Sequence, residues 1–289
     1  MNIEIKRLCK SYDGHTVLSD IDIELHNGIY GLLGQNGVGK TTLIKILMKL
    51  IVDYKGEILT DGVNIRKYKD EYFHKIGYLP QYPQFYKNFT AQELILYIGT
   101  LKGMDRHTVL DRMEELFEKT NILRYRHQKI GGFSGGMRQR LGICQALLND
   151  PELVIFDEPT AGLDPIERMN FKNLISGISE NKIVILSTHI VEDLTAIASE
   201  IIVLSNGKVA ISGAPDVLTE SIRGHVNEQE IAYSEYDEFM SRTANISSVV
   251  NNGSGYTLRY VTNNGDNDTN IIPNMDEVFI YYAMMRKQR

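Results

Sequence analysis

The sequence predicts an α/β fold built on a central, mostly parallel sheet, and three observations carry that prediction. The stretch Gly34-Gln35-Asn36-Gly37-Val38-Gly39-Lys40-Thr41-Thr42 fits G-x-x-x-x-G-K-[ST], the pattern of a phosphate-binding loop. An apolar run at 29–33 precedes it, and Leu43, Ile46, Leu47 and Leu50 follow at helical spacing, so the pattern sits between a strand and a helix. Residues 153–156, 183–186 and 201–204 are continuous apolar runs separated by helical stretches, as expected of parallel strands covered on both faces.

Taken in order, residues 2–5 and 21–25 alternate apolar and polar, the pattern of half-buried antiparallel strands, with a turn cluster at 11–15 between them. Residues 55–62 read as a further short strand ended by a turn, so a small antiparallel layer flanks the loop. A strand at 76–79 is halted by Pro80. Thr90-Ala91-Gln92-Glu93 is a capping box opening a helix with Leu94, Tyr97, Ile98 and Leu101 on one face. Val109, Met113, Leu116 and Phe117 mark a second helix, so residues 82–150 read as a helical insertion. The α/β rhythm then returns, with helices at 165–178 and 190–198 and an Asn206-Gly207 hairpin. Beyond residue 224 the composition turns to Asn, Tyr, Glu and Asp, predicting a domain at 1–222 and a small α+β appendage at 225–289 whose last helix, capped by Pro273-Asn274, carries Met275, Val278, Phe279 and Tyr282.

Composition narrows the class. Of 289 residues 43% are hydrophobic and 24% charged, ordinary for a soluble globular protein. No run of about 18 apolar residues would span a membrane, and the N-terminus lacks the apolar core of a signal peptide. A net charge of −6 argues against nucleic acid as the main partner. Cys9 and Cys144 belong to no paired motif and read as buried fillers in a reducing cytosol. The seven histidines show no metal spacing.

The loop dictates a chemistry. A helix starting near Gly39 points free backbone N–H groups and the positive end of its dipole at the loop. Gly34, Gly37 and Gly39 would let the backbone wrap a phosphate closely, with Asn36 a further binding candidate in the loop. Lys40 would reach the β- and γ-phosphates, the Thr41 hydroxyl would ligate Mg²⁺, and Thr42 is a lesser candidate beside the α-phosphate. Phe156-Asp157-Glu158 ends a buried strand, placing two carboxylates at the edge where α/β folds bind ligands.

Phe133-Ser134-Gly135-Gly136-Met137-Arg138-Gln139-Arg140 resembles the signature sequence of ATP-binding cassette (ABC) ATPases. The flanking elements agree in order, from a loop glutamine at Gln81 through Asp157-Glu158 and Ala161-Gly162-Leu163-Asp164 to Thr188-His189, and the resemblance spans residues 1–220. It implies the ABC ATPase fold, with an antiparallel β subdomain and a helical subdomain beside the central sheet. It implies ATP and Mg²⁺ as cofactors, Asp157 holding the ion through water, Glu158 as general base, and Gln81 contacting the ion and the attacking water. His189 would hydrogen-bond the γ-phosphate and Tyr12 would stack on adenine. Ser134, Gly135 and Gly136 begin a helix and would clasp ATP held by an opposite subunit, so hydrolysis requires a homodimer, or a heterodimer with a related chain.

Three departures stand out: Phe133 and Met137 replace the family's usual Leu and Gln, and Ala161 replaces a serine. The implied function is the cytoplasmic ATPase subunit of an ABC transporter, seated on the inner face of the membrane through a separate transmembrane permease. Residues 273–279 resemble a Pro-x-Leu-Glu-Asp-Val-Phe ending of exporter-type subunits, with Met275 for Leu, which points to export. The rival is a soluble ABC ATPase acting on ribosome or DNA. Such proteins carry two cassettes or a long coiled-coil insertion, and this chain carries neither.

Overall fold

The continuous apolar runs of the central strands, buried on both faces, decide the layering. The computed structural model describes residues 1–160, 163–265 and 270–283. The chain opens with β1 (Ile3–Tyr12) and β2 (His15–Leu25), then β3 (Gly28–Leu33), α1 (Lys40–Leu47), β4 (Lys55–Thr60), β5 (Val63–Asn64), α2 (Glu71–His74) and β6 (Ile76–Leu79). Three helices follow: α3 (Ala91–Leu101), α4 (Arg106–Lys119) and α5 (Gly135–Leu147). Then come β7 (Leu153–Asp157), α6 (Pro165–Ile178), β8 (Ile183–Thr188), α7 (Val191–Thr195), β9 (Glu200–Ser205), β10 (Lys208–Gly213) and α8 (Pro215–Glu220). The last stretch holds β11 (Val226–Ala232), α9 (Tyr236–Arg242), β12 (Ile246–Asn251), β13 (Gly255–Val261) and α10 (Met275–Ala283).

Among the described residues the six-stranded sheet has the order β10-β9-β3-β8-β7-β6, parallel except for the β10–β9 hairpin. Successive side chains of a strand point to opposite faces. Val154, Phe156, Val184 and Leu186 therefore join one core with α3 to α7 and α10, while Leu153, Ile155, Ile183 and Ile185 join another with α1 and the antiparallel sheet β2-β1-β4-β5. Full burial of each such side chain stabilises the fold by about 1.5–3 kcal/mol.

The helices start where their caps lie. Thr90 and Glu93 form a reciprocal capping box on α3, Asp105 caps α4, Ser134 caps α5 and Asp164 caps α6. Four expectations need correction. The first strands run well past 5 and begin well before 21, so the turn shrinks to Asp13 and Gly14, both at positive φ. Helix α1 ends at Leu47; Lys49 adopts φ 56° and Leu50 is left exposed. The buried face of α3 is Ala91, Leu94 and Ile95, with Tyr97 and Leu101 exposed. Cys144 is buried as expected, whereas Cys9 is half-buried and its Sγ accepts the Asp20 amide.

In the C-terminal stretch, β11, β13 and β12 form a three-stranded antiparallel sheet, and α10 packs Met275, Val278 and Tyr282 into the core that holds Val191 and Leu194 of α7. Asn274 and Glu277 cap α10 reciprocally. Residues 266–269 lie outside the described residues, as do Ala161 and Gly162 of the Ala161–Asp164 motif.

Candidate nucleotide site

Four neighbouring parallel strands deliver the site. Leu33 of β3 pairs with Thr188 of β8, Asp157 of β7 with Ser187 of β8, and Leu79 of β6 with Phe156 of β7. The segments leaving their C-terminal ends therefore emerge side by side, at the edge where α/β sheets bind ligands. Residues Gln35, Asn36, Gly37, Gly39, Lys40, Thr41, Thr42, Gln81, Asp157, Glu158 and His189 line one cavity of 190 Å³, together with Val17 from β2. Of these, Val17 and Gln35 were not expected. Val17 carries no chemical signature, since an apolar residue in an alternating strand signals only burial.

The loop geometry follows from its glycines. Gly37 has φ 80° and Gly39 φ 110°, the left-handed region that side chains disfavour, and a Cβ on Gly39 would lie 2.6 Å from Leu18. Lys40, first residue of α1, donates from Nζ to the Gly34 carbonyl at 2.5 Å and to the Gln35 carbonyl at 3.2 Å, which stretches its ammonium along the loop. Burial lowers the Lys40 pKa, opposed by Glu158 and Asp157; burial raises that of Asp157, opposed by the Ser187 hydroxyl and reinforced by Glu158. Both groups are thus buried in a pocket that disfavours their charge, a cost their mutual attraction offsets in part.

Glu158 is 7% exposed and has φ 48°, a left-handed conformation that costs a non-glycine residue about 1–3 kcal/mol. Its amide donates to the Ser187 carbonyl at 2.8 Å. Its Oε2 lies 2.9 Å from Nδ1 of His189 and accepts the Thr188 hydroxyl at 3.3 Å. The Thr188 oxygen in turn accepts the Ile190 amide, so β8 orients both sides of the pair. Strain concentrated on a buried carboxylate beside a phosphate loop marks a functional residue.

A family model described as ABC transporter matches residues 18–161. A Bacillus subtilis (strain 168) protein, YxlF, described as an uncharacterised ABC transporter ATP-binding protein, is 35% identical over 212 residues, spanning 73% of this chain and 70% of the relative. This chain belongs to the ABC transporter ATP-binding proteins. The bacitracin transport ATP-binding protein BcrA of Bacillus licheniformis is 36% identical over 210 residues, 72% of this chain and 68% of that protein. A solved structure titled as the ATP-binding subunit of an ABC transporter superposes with a TM-score of 0.70 at 27% identity, covering 76% of this chain and 93% of the other. The chain is accordingly an ABC ATP-binding subunit and an ATPase, with the fold of that family.

Within this ABC subunit the signature lies on the helical subdomain, apart from the cavity of the phosphate loop. Ser134 accepts the Met137 amide at 3.2 Å, and Gly135 and Gly136 open α5. Gly136 faces α6 so closely that a Cβ there would lie 2.2 Å from Oε1 of Glu167. Phe133 is buried and meets Tyr125 edge-on, so the larger residue at this signature position fills the helical core. Met137 packs against the same core. A larger cavity of 410 Å³ opens between α5 and α6, lined by Gln139, Arg140, Glu167 and Phe171 among others, and none of the phosphate-loop residues reach it.

Tyr12 stands outside the phosphate cavity at the end of β1, 41% exposed, with the Lys10 ammonium 4.8 Å from its ring centroid. Gln139 was not expected: buried on α5, it donates from Nε2 to the Pro159 carbonyl at 2.7 Å, linking the signature helix to the segment after Glu158. A glutamine inside a helix gives no sign in the sequence that its amide crosses to another element. Among the described residues no helix is long and apolar enough to cross a membrane, and no cluster of three His, Cys, Asp or Glu forms a metal cage.

Proposed function

We propose that this ABC ATPase subunit drives a separate transmembrane permease through ATP-dependent dimer closure, in the direction of export. The observation that carries the reading is the convergence of Lys40, Gln81, Asp157, Glu158 and His189 on one cavity from four adjacent strand ends. Lys40 and the loop amides bind and orient the phosphates, and Glu158 takes the proton of the attacking water while His189 donates to the γ-phosphate. The donors Thr41, Gln81 and Asp157 all offer oxygens, the ligand chemistry of Mg²⁺, and the buried Asp157 carboxylate among them suits a cation. These residues would hold the ion, which supplies charge neutralisation on the phosphates when bound.

Ser134, Gly135 and Gly136 bind the ATP of a second subunit, since the N-terminus of α5 is built for an anion and lies outside its own phosphate cavity. Tyr12 stacks on the adenine. The division into an ATPase domain at 1–222 and an accessory unit at 225–289 accompanies this reading, as does a cytoplasmic position on the inner membrane face. Support for export comes from relatives described as transport proteins for bacitracin, a lantibiotic and Nod factor. These names speak against the soluble ribosome or DNA alternative.

The test is a pull-down of tagged Glu158→Gln protein with MgATP from detergent-solubilised native membranes. A polytopic membrane protein in stoichiometric yield supports the reading. Ribosomal proteins or nucleic acid without a permease would overturn it.

A further inference from the structure

Asp193 lies on α7, four residues past His189, and is 6% exposed. A buried carboxylate survives only where partners compensate its lost hydration. Two do so here. The Thr160 hydroxyl donates to Oδ2 at 2.5 Å, and the Lys172 ammonium of α6 lies 3.2 Å from Oδ1 while donating to the Glu192 carbonyl at 3.1 Å. Thr160 is itself 1% exposed and stands two residues past Glu158.

The same two chain segments are therefore tied twice. At the cavity, Glu158 meets His189; in the interior, Thr160 meets Asp193. Between the ties, Pro159 is held from the other side by Gln139 of α5. Glu158 occupies a left-handed conformation that its neighbours must enforce, so a slip of Thr160 would re-aim the carboxylate. An apolar pair would fill the space equally well, but only the hydroxyl–carboxylate contact fixes direction and spacing.

We propose that Asp193 is a positioning residue for ATP hydrolysis, setting through Thr160 the register between the segment of Glu158 and the segment of His189. The proposal rests on the roles given above to those two residues. It assigns Asp193 no contact with nucleotide or metal.

The test compares the full-length parent with Thr160→Val, Asp193→Ala, their double variant, Asp193→Asn and, separately, Glu158→Gln. Steady-state MgATP hydrolysis and nucleotide affinity are measured alongside melting temperatures. A misplacement of this kind costs roughly tenfold to a hundredfold in kcat. That loss is expected in Thr160→Val and in Asp193→Ala with KM for ATP nearly unchanged, and the double variant should be no worse than the poorer single one. Asp193→Asn should recover most of the rate, because its amide oxygen still accepts the Thr160 hydroxyl. Thr160→Val keeps the Asp193–Lys172 pair and so carries the test even where Asp193→Ala fails to fold. Parental kcat in Thr160→Val, or multiplicative losses in the double variant, would overturn the proposal. If Glu158→Gln also turns over at the parental rate, the underlying assignment of the base falls; if Glu158→Gln is inactive, only the positioning role does.

Discussion

Nδ1 of His189 lies 2.9 Å from Oε2 of Glu158, joining the two chemical ends of adjacent strands β8 and β7. An ionised carboxylate only accepts, so with Glu158 ionised the proton of this bond lies on Nδ1. In that tautomer of the neutral imidazole Nε2 is an acceptor. Under the proposed role of His189, binding of the γ-phosphate is expected to alter this pair. His189→Ala is expected to lower kcat by about 10²–10³ while ATP affinity stays within a few-fold, since such donors act mainly in the transition state. Steady-state hydrolysis with parallel nucleotide titration checks this.

Lys40 is drawn along the loop by the Gly34 and Gln35 carbonyls and is pushed by burial toward losing its charge. Phosphate is expected to supply the counter-charge. Truncating one partner of such a buried charged contact costs about 2–5 kcal/mol, or roughly 30-fold or more in affinity. Lys40→Ala should show that loss by calorimetric titration of ATP, with the melting temperature of the nucleotide-free chain little changed.

Asp157 predicts an exchange of stability for function. Burial, then Glu158, hold its carboxyl above the usual range against the Ser187 hydroxyl, so the folded chain binds this proton more tightly than the unfolded one. The stability linked to it is present at low pH and is lost as pH rises. Nucleotide-free Asp157→Asn should melt above the parent at pH 8, and the difference should close as pH falls through the carboxylate range. Its MgATP turnover should be lost. Melting curves at several pH values decide, and equal melting at pH 8 would refute the account.

In the C-terminal unit, Glu277 is fully buried and accepts from Arg259 Nε at 2.8 Å, Arg259 Nη2 at 3.0 Å, the Ser247 hydroxyl at 3.0 Å and the Asn274 amide at 2.8 Å. Glu277→Ala leaves the guanidinium without its buried partner, at a cost of about 3–5 kcal/mol. Urea unfolding should register it. Because α10 shares its core with Val191 and Leu194, the loss should reach the main transition rather than a separate one.

Much of this was legible in the sequence because it is local. The phosphate loop, the Thr90–Glu93 box and the Asn274 cap are contained in a few residues each, and the runs at 153–156, 183–186 and 201–204 announce two-sided burial directly. What escaped is non-local. The Gln139–Pro159, Thr160–Asp193 and Arg259–Glu277 bonds join residues 20, 33 and 18 positions apart, and polar residues in helices and strands read as solvated until the partner element is placed. The end of α1 was misread because Leu50 continues the apolar period, while the left-handed Lys49 has already broken the helix. Nor could spacing alone have placed Tyr12 beyond the cavity, at a strand end set by hairpin register.

The most direct measurement is MgATP hydrolysis by Glu158→Gln beside the parent, with ATP binding determined on the same samples. The buried, left-handed Glu158 is the only carboxylate given the role of base, and positioned bases contribute about 10²–10⁴-fold to rate. The account predicts a fall in kcat of at least about 100-fold with ATP binding retained. Turnover at the parental rate with ATP bound would contradict it and place the base elsewhere.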